Sequence, residues 1–411
     1  MDIKKLIKYF IIAFLVCNSV LALAEGLSIE KVFVVSCLKG QNVADQLAKN
    51  ITADQTCIMY LAAETKEKGL INYYADIPQV KIDGRVFNTR RFPEKNKITV
   101  NWYKVEPEMY HTEGKGHDPD NPYFLWYTNT GVPGGKTDRV PLVIPDTIKY
   151  TNTGLDDLKN SWAIVADAHP TQSQYDVNKG LGVMRYSVAV EYKGAGGRIV
   201  TVESPNIKSY QGNGISNNVP KVIIRQDDSY IGYLTGYFNV PGVFGSYPYQ
   251  VDNYIGVDCA DLVVGAWKQF SGKYVKYTNV TGLRYAFVLN KLSKVSPNDH
   301  YLDSQGNIYQ QYNASSDEYK GAKVIPISPE SVNIGDVIVF NYSPKREDTT
   351  WDHTGVLFAD SGEDGKPNGI LDGHDLILHC GPAEPQVSPL GSNSFVSPDA
   401  PTRFAVLRWI K

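Results

Sequence analysis

Residues 255–270 read IGVDCADLVVGAWKQF. Leu262, Val263, Ala266, Trp267 and Phe270 recur at helical spacing and predict an amphipathic helix led by one cysteine, Cys259. A cysteine ahead of a helix has three readings: a small buried hydrophobe, half of a disulfide, or a nucleophile. Whether this helix opens a domain of mixed helix and sheet depends on what flanks it.

Downstream, VTGLRYAFVLNKLSK repeats the helical pattern, and GDVIVFNY, HTGVLFAD, LILHCG and FAVLRWI follow as strands. Helices followed by an antiparallel sheet predict an α+β domain over residues 231–411. Upstream, KITVNWYKVEP, RVPLVIPDTIKY, NSWAIVADA and KVIIRQ are rich in β-branched and aromatic residues and bounded by turn formers. GVMRYSVAVEYKGAGGRIVTVES is two alternating runs about a glycine-rich turn, a β-hairpin. Residues 25–230 therefore predict a mostly antiparallel β domain, sandwich or barrel, with a helix at GQNVADQLAKN as the exception. The change of pattern places the boundary between residues 228 and 241 and predicts two regions that fold independently.

The 411-residue chain, 42% hydrophobic and 21% charged, has the composition of a folded protein of more than one domain. Its net charge of -3 gives no electrostatic case for a nucleic-acid partner. At the start, Lys4, Lys5 and Lys8 precede an apolar run from Tyr9 to Val16, and Ala22-Leu23-Ala24 supplies a small-x-small site. This predicts a signal peptide over residues 1–24, a secreted or periplasmic product and no stable membrane span after cleavage; an uncleaved anchor is the alternative. Val16 before Cys17 argues against lipid attachment there. Four cysteines remain, too few for a disulfide framework, but Cys37 and Cys57 are close enough in sequence to predict one bridge.

Several polar and aromatic groups have competing readings. HTEGKGHDPD, with His111, His117, Asp118 and Asp120, reads as a glycine- and proline-bearing loop rather than a metal site. Trp102, Tyr103, Trp126 and Tyr127 would stack on sugar rings or, more ordinarily, fill a core. In SGEDGKPNGILDGHD, residues Asp364, Asn368, Asp372 and Asp375 around Gly369 echo a calcium loop, yet Lys366 takes one ligand position and no glutamate closes it. A solvated turn is the expectation, with no metal and no cofactor.

Cys259 belongs to a more specific constellation. His353 opens HTGVLFAD and His379 closes LILHCG, so pairing of these strands as a hairpin brings both imidazoles to one end of the sheet. A helix N-terminus and an imidazolium both stabilise a thiolate, whose ordinary pKa is about 8.5. His353 would take the thiol proton and His379 would orient the imidazole. Cys380 points to the opposite face from His379 and reads as core.

In their order, VDC before a helix, GDVIVF, DHTGVL and LILHCG resemble the NlpC-type family of papain-like cysteine peptidases, over about residues 236–411. The resemblance implies a papain-like catalytic domain, catalysis by Cys259, His353 and His379, and Tyr247 lining the site, where its hydroxyl would join the Cys259 amide in binding an oxyanion. It further implies a secreted thiol hydrolase that cleaves amide bonds in the peptide stems of peptidoglycan. Two departures stand out. Ala260-Asp261 replaces the family's Ser-Gly, and the loop between the histidines is long and carries His374, an alternative third residue. Transfer or hydrolysis of another acyl substrate, and a non-enzymatic surface binder on the same scaffold, are the rival readings.

Overall fold

The computed structural model describes residues 28–67, 69–93, 95–107, 150–171, 178–194, 197–211, 214–243, 246–285, 291–342, 349–380, 384–396 and 401–410. Residues 1–24, expected to be a signal peptide, the HTEGKGHDPD segment, Trp126, Tyr127 and RVPLVIPDTIKY up to residue 149 lie outside them.

The first region builds two large sheets, besides the two-stranded pair of Tyr210–Gln211 and Gly214–Ile215. Strands Ile29–Leu38, Val43–Asp45, Gln79–Ile82, Arg85–Arg90, Leu70–Tyr74 and Cys57–Glu67 pair in that order, and the last pairs back to the first, closing a six-stranded barrel with Ala163–Val165 added outside. Val35, Ala62, Val80 and Ile82 fill its interior. The second sheet orders Lys49–Thr52, Lys221–Arg225, Gly182–Lys193, Ile98–Pro107 and Tyr150–Gly154, with Ile199–Glu203 completing the expected hairpin against Gly182–Lys193. Met59 and Leu61 on the outer barrel wall pack with Val100, Trp102, Tyr186 and Val188 of this sheet, the cross-sheet core of a sandwich.

Two expectations for this region are corrected. GQNVADQLAKN forms no helix: Val43–Asp45 pairs in parallel with residues 79–81, and Lys49–Thr52 with residues 222–225. Pairing to strands already in place outweighs the helical spacing of a short polar segment. Cys37 and Cys57 are free thiols. They lie on neighbouring strands, but Cys37 pairs with Ile58 and Cys57 with Leu38, so their side chains leave opposite faces. Cys37 points into the barrel and Cys57 out into the cross-sheet core, a geometry no disulfide can bridge.

Among the described residues after Arg225 come four α-helices: α1 (Tyr230–Thr235), α2 (Pro248–Asp252), α3 (Cys259–Ser271) and α4 (Val280–Arg284). A nine-stranded sheet follows, in the order Glu318–Ala322, Ile308–Asn313, His300–Leu302, Thr402–Trp409, Val337–Asn341, His353–Ala359, Leu376–Cys380 and Pro385–Pro389, with Leu292–Lys294 beside Thr402–Trp409. The expectation of an α+β papain-like domain is overturned: the protein is mostly β, 45% strand against 12% helix. Among the described residues only α3 exceeds six residues. Among the described residues of VTGLRYAFVLNKLSK, five are helical, α4, and Leu292–Lys294 is a strand that pairs with residues 407–409. The segment's apolar residues serve sheet and helix alike, and β-branched Val280 and Thr281 with Gly282 favour only a short helix.

The two regions share core and hydrogen bonds. Val183 and Ile223 of the second sheet share a core with Leu234, Tyr237 and Phe238. The buried Arg185 guanidinium donates to the carbonyls of Asn253 (2.9 Å) and Tyr254 (2.8 Å), just past α2. Asn239 donates to Ala168 O at 2.7 Å, and at Gly182 a Cβ would lie 2.3 Å from Phe238 O. Independent folding of 25–230 and 231–411 is not what this interface predicts. Among the described residues no helix is long and apolar enough to cross a membrane.

Candidate active site

The start of α3 is fixed by local chemistry. Asp258 is its N-cap, accepting from the Asp261 amide at 2.8 Å. Ser246 ties the preceding turn to the same point: its hydroxyl donates to Asp261 Oδ2 at 2.7 Å and accepts from the Asp258 amide at 3.1 Å. Cys259, the first helical residue, is partly exposed, whereas Cys37, Cys57 and Cys380 are buried. Its sulfur takes hydrogen bonds from the amides of Ala260 and Thr354. Thr354 follows His353, so the thiol lies where the histidine strand begins.

The histidines meet as the hairpin reading required. Gly355 pairs with His379 across the antiparallel strands, and His353 Nε2 lies 2.9 Å from His379 Nδ1. Gly355 explains the His-x-Gly spacing: a Cβ there would lie 2.5 Å from Ile377 Cγ2 and 3.0 Å from His379 Cβ. His379 Nε2 lies 3.1 Å from Ser388 Oγ on the next strand. One tautomer set leaves His353 Nδ1 free as a base: His353 Nε2–H donates to His379 Nδ1, and His379 Nε2–H donates to Ser388. Phe395 packs edge-on to His379 with ring centres 4.6 Å apart, and Phe340 and Phe395 stack on His353.

This dry, acidic setting corrects the expected direction of the thiol's ionisation. Burial and the Asp258 carboxylate push the Cys259 pKa up, against the lowering by its two amide donors. Burial brings His353 down to about 4, and burial together with the neighbouring His353 holds His379 far below its ordinary value. At rest the thiol and both imidazoles are neutral, the sulfur packing against the core that holds Cys380 and the imidazoles packing against Phe340 and Phe395. Burial and Asp258 also push the Asp261 carboxyl up to about 8.

The other expected residues divide. Tyr247 precedes α2, its amide donating to Gln250 Oε1 at 2.8 Å and its side chain 43% exposed, one residue after Ser246. His374 is exposed on a turn at the far end of the Leu376–Cys380 strand, because Leu376 pairs with Ala359 while His379 pairs with Gly355; it is no alternative partner for His353. Asp360, Asp372 and Asp375 accept amides of their own loop, from Asn368 and Gly369, from His374, and from Ser361 and Asp372. Cys380 is core, donating to Val257 O at 3.3 Å. Asp336 of GDVIVF has a fastening role, receiving both Arg408 Nε and Nη2 at 2.7 Å.

Sequence reading missed Ser246 and Ser388, and spacing alone offered no signal for either. Serines are common in turns and edge strands, and their roles exist only once α3 and the sheet are packed. No protein-family model, no curated protein and no solved structure matches the chain.

Proposed function

We propose that the protein is a thiol hydrolase of amide bonds. Cys259 is the nucleophile, His353 the base and later the acid, and His379 with Ser388 holds the imidazole. The observation that carries this reading is the His353–His379 contact of 2.9 Å, with the sulfur of the partly exposed Cys259 held by the amide of Thr354, the residue after His353.

Catalysis starts from the neutral pair. As Sγ attacks the carbonyl carbon, its proton passes to His353 Nδ1, and the imidazolium that forms is held through Nε2 by His379. The Cys259 amide, at the open end of α3, and the Tyr247 hydroxyl stabilise the oxyanion. The tetrahedral species expels the amine with the proton from His353, leaving a thioester, which water then hydrolyses as His353 accepts a proton again. The high thiol pKa favours this concerted transfer over a preformed ion pair.

Peptide stems of peptidoglycan are the proposed substrate. The VDC, GDVIVF, DHTGVL and LILHCG motifs and the leader-like residues 1–24 support a role outside the cytoplasm. Incubation with purified cell-wall fragments, followed by mass analysis, tests the assignment. Products gaining one water per cut, at a bond between two stem residues, are expected. Unchanged fragments would remove the cell wall as substrate.

A further inference from the structure

Beyond the thiol site, the chain between α3 and α4 forms a cleft of about 460 Å³, inside the range of about 300–1,000 Å³ usual for small-molecule sites. Its lining is unusual for a surface loop. Val275 is buried and anchors the segment, which turns Tyr274 and Lys276 outward. Tyr274 is 77% exposed and Tyr285 40% exposed. Tyr277 is fixed, its hydroxyl donating to Asp252 Oδ1 at 2.8 Å and Lys268 covering its ring at 5.0 Å. Tyr274, Tyr277 and Tyr285 line this concavity together with Thr278 and Asn279, a lining that pairs apolar ring faces with polar groups. Among the described residues no carboxylate lines the cleft, while Lys276 and Lys291 do.

We propose that this cleft is a saccharide subsite, in which a pyranose lays its C–H face on Tyr274 and directs its hydroxyl and N-acetyl groups to the polar rim. A pyranose has one apolar face and a polar circumference, the same division the cleft presents. Of the described aromatic residues of the first region, Trp102 is buried with its Nε1 donating to Ser161 O, whereas Tyr274 and Tyr285 are exposed. The cleft also adjoins the segment that leads into the strand opened by His353. Thr281 Oγ1 accepts the Trp351 amide at 2.9 Å, and Trp351 Nε1 donates to the Tyr285 hydroxyl at 3.3 Å. Trp351 lies two residues before His353, so a sugar chain in the cleft would pass close to the histidine strand.

The subsite rests on the cleft alone and not on the thiol chemistry, so the two readings fail separately. Calorimetric titration of the full chain with tetra-N-acetylglucosamine is the test. Binding is expected for the wild type and unchanged for Cys259→Ala, while Tyr274→Ala weakens it about tenfold, the order of one lost aromatic contact. Tyr274→Phe, which keeps the ring, should bind as the wild type does. Absence of heat at millimolar saccharide, or equal binding by wild type and Tyr274→Ala, would overturn the proposal and leave the amide-hydrolase reading untouched.

Discussion

Gly355 shows how a missing side chain shapes the site. Opposite His379, it leaves the space in which that imidazole stands beside His353, and a methyl group there would collide with Ile377 and crowd His379. Gly355→Ala should therefore cut kcat by about 100-fold, the order expected when a catalytic group moves by about 1 Å. An unchanged kcat would show that His379 is not held by this fit. Asp261 poses the opposite problem, a carboxyl buried where Asp258 repels it. Its folded pKa is about 8 against an ordinary 3.8, so the folded protein keeps a proton that the unfolded chain releases. Its favourable contribution is complete below pH 3.8 and fades as pH rises towards 8. Asp261→Asn should remove this loss, gaining on the wild type by about 1.4 kcal/mol at pH 8.5 if only one unit of the displacement survives. Denaturant melts at pH 4 and pH 8.5 would read the difference, and parallel curves for the two proteins would contradict it.

At the scale of elements, α3 and the histidine strands were legible because their periodicity is strong and their ends carry capping and turn residues. Less legible were segments whose state depends on partners far away in sequence. GQNVADQLAKN became strand by pairing with residues 79–81 and 222–225, and Cys37 and Cys57 were separated by the two faces of one strand pair. The environment of the thiol belongs to this class too. A helix start alone lowers a thiol pKa, whereas burial raises this one and the capping Asp258 carboxylate adds to the rise. Asp258→Asn keeps a good N-cap and removes the charge. The pH midpoint of Cys259 alkylation should then fall relative to wild type, while the melting temperature stays nearly the same. A midpoint that does not move would assign the raised pKa to burial alone.

The whole molecule joins a β barrel, a second sheet and a nine-stranded sheet through contacts that sequence grammar did not show. The break in pattern near residue 228 marks a change of element type, and the core runs across it. Arg185 is the clearest cross-link, a buried cation whose two acceptor carbonyls follow α2 and precede Cys259. Arg185→Ala would strand these carbonyls and should cost about 2–4 kcal/mol, the range for a buried hydrogen-bonded charge. Calorimetry should show a single transition moving to lower temperature. Two separate transitions in the wild type would instead restore the picture of independent regions.

The nucleophile itself is the central claim, and a covalent intermediate tests it most directly. Cell-wall peptide fragments mixed with His379→Ala, which should slow turnover, and quenched in acid within the first turnover should leave an acyl group on the protein. Peptide mapping by mass spectrometry is predicted to place that thioester on Cys259, with none on Cys37, Cys57 or Cys380 and none in Cys259→Ala. Cleavage that proceeds at the wild-type rate in Cys259→Ala, with no acyl adduct on any cysteine, would contradict the account.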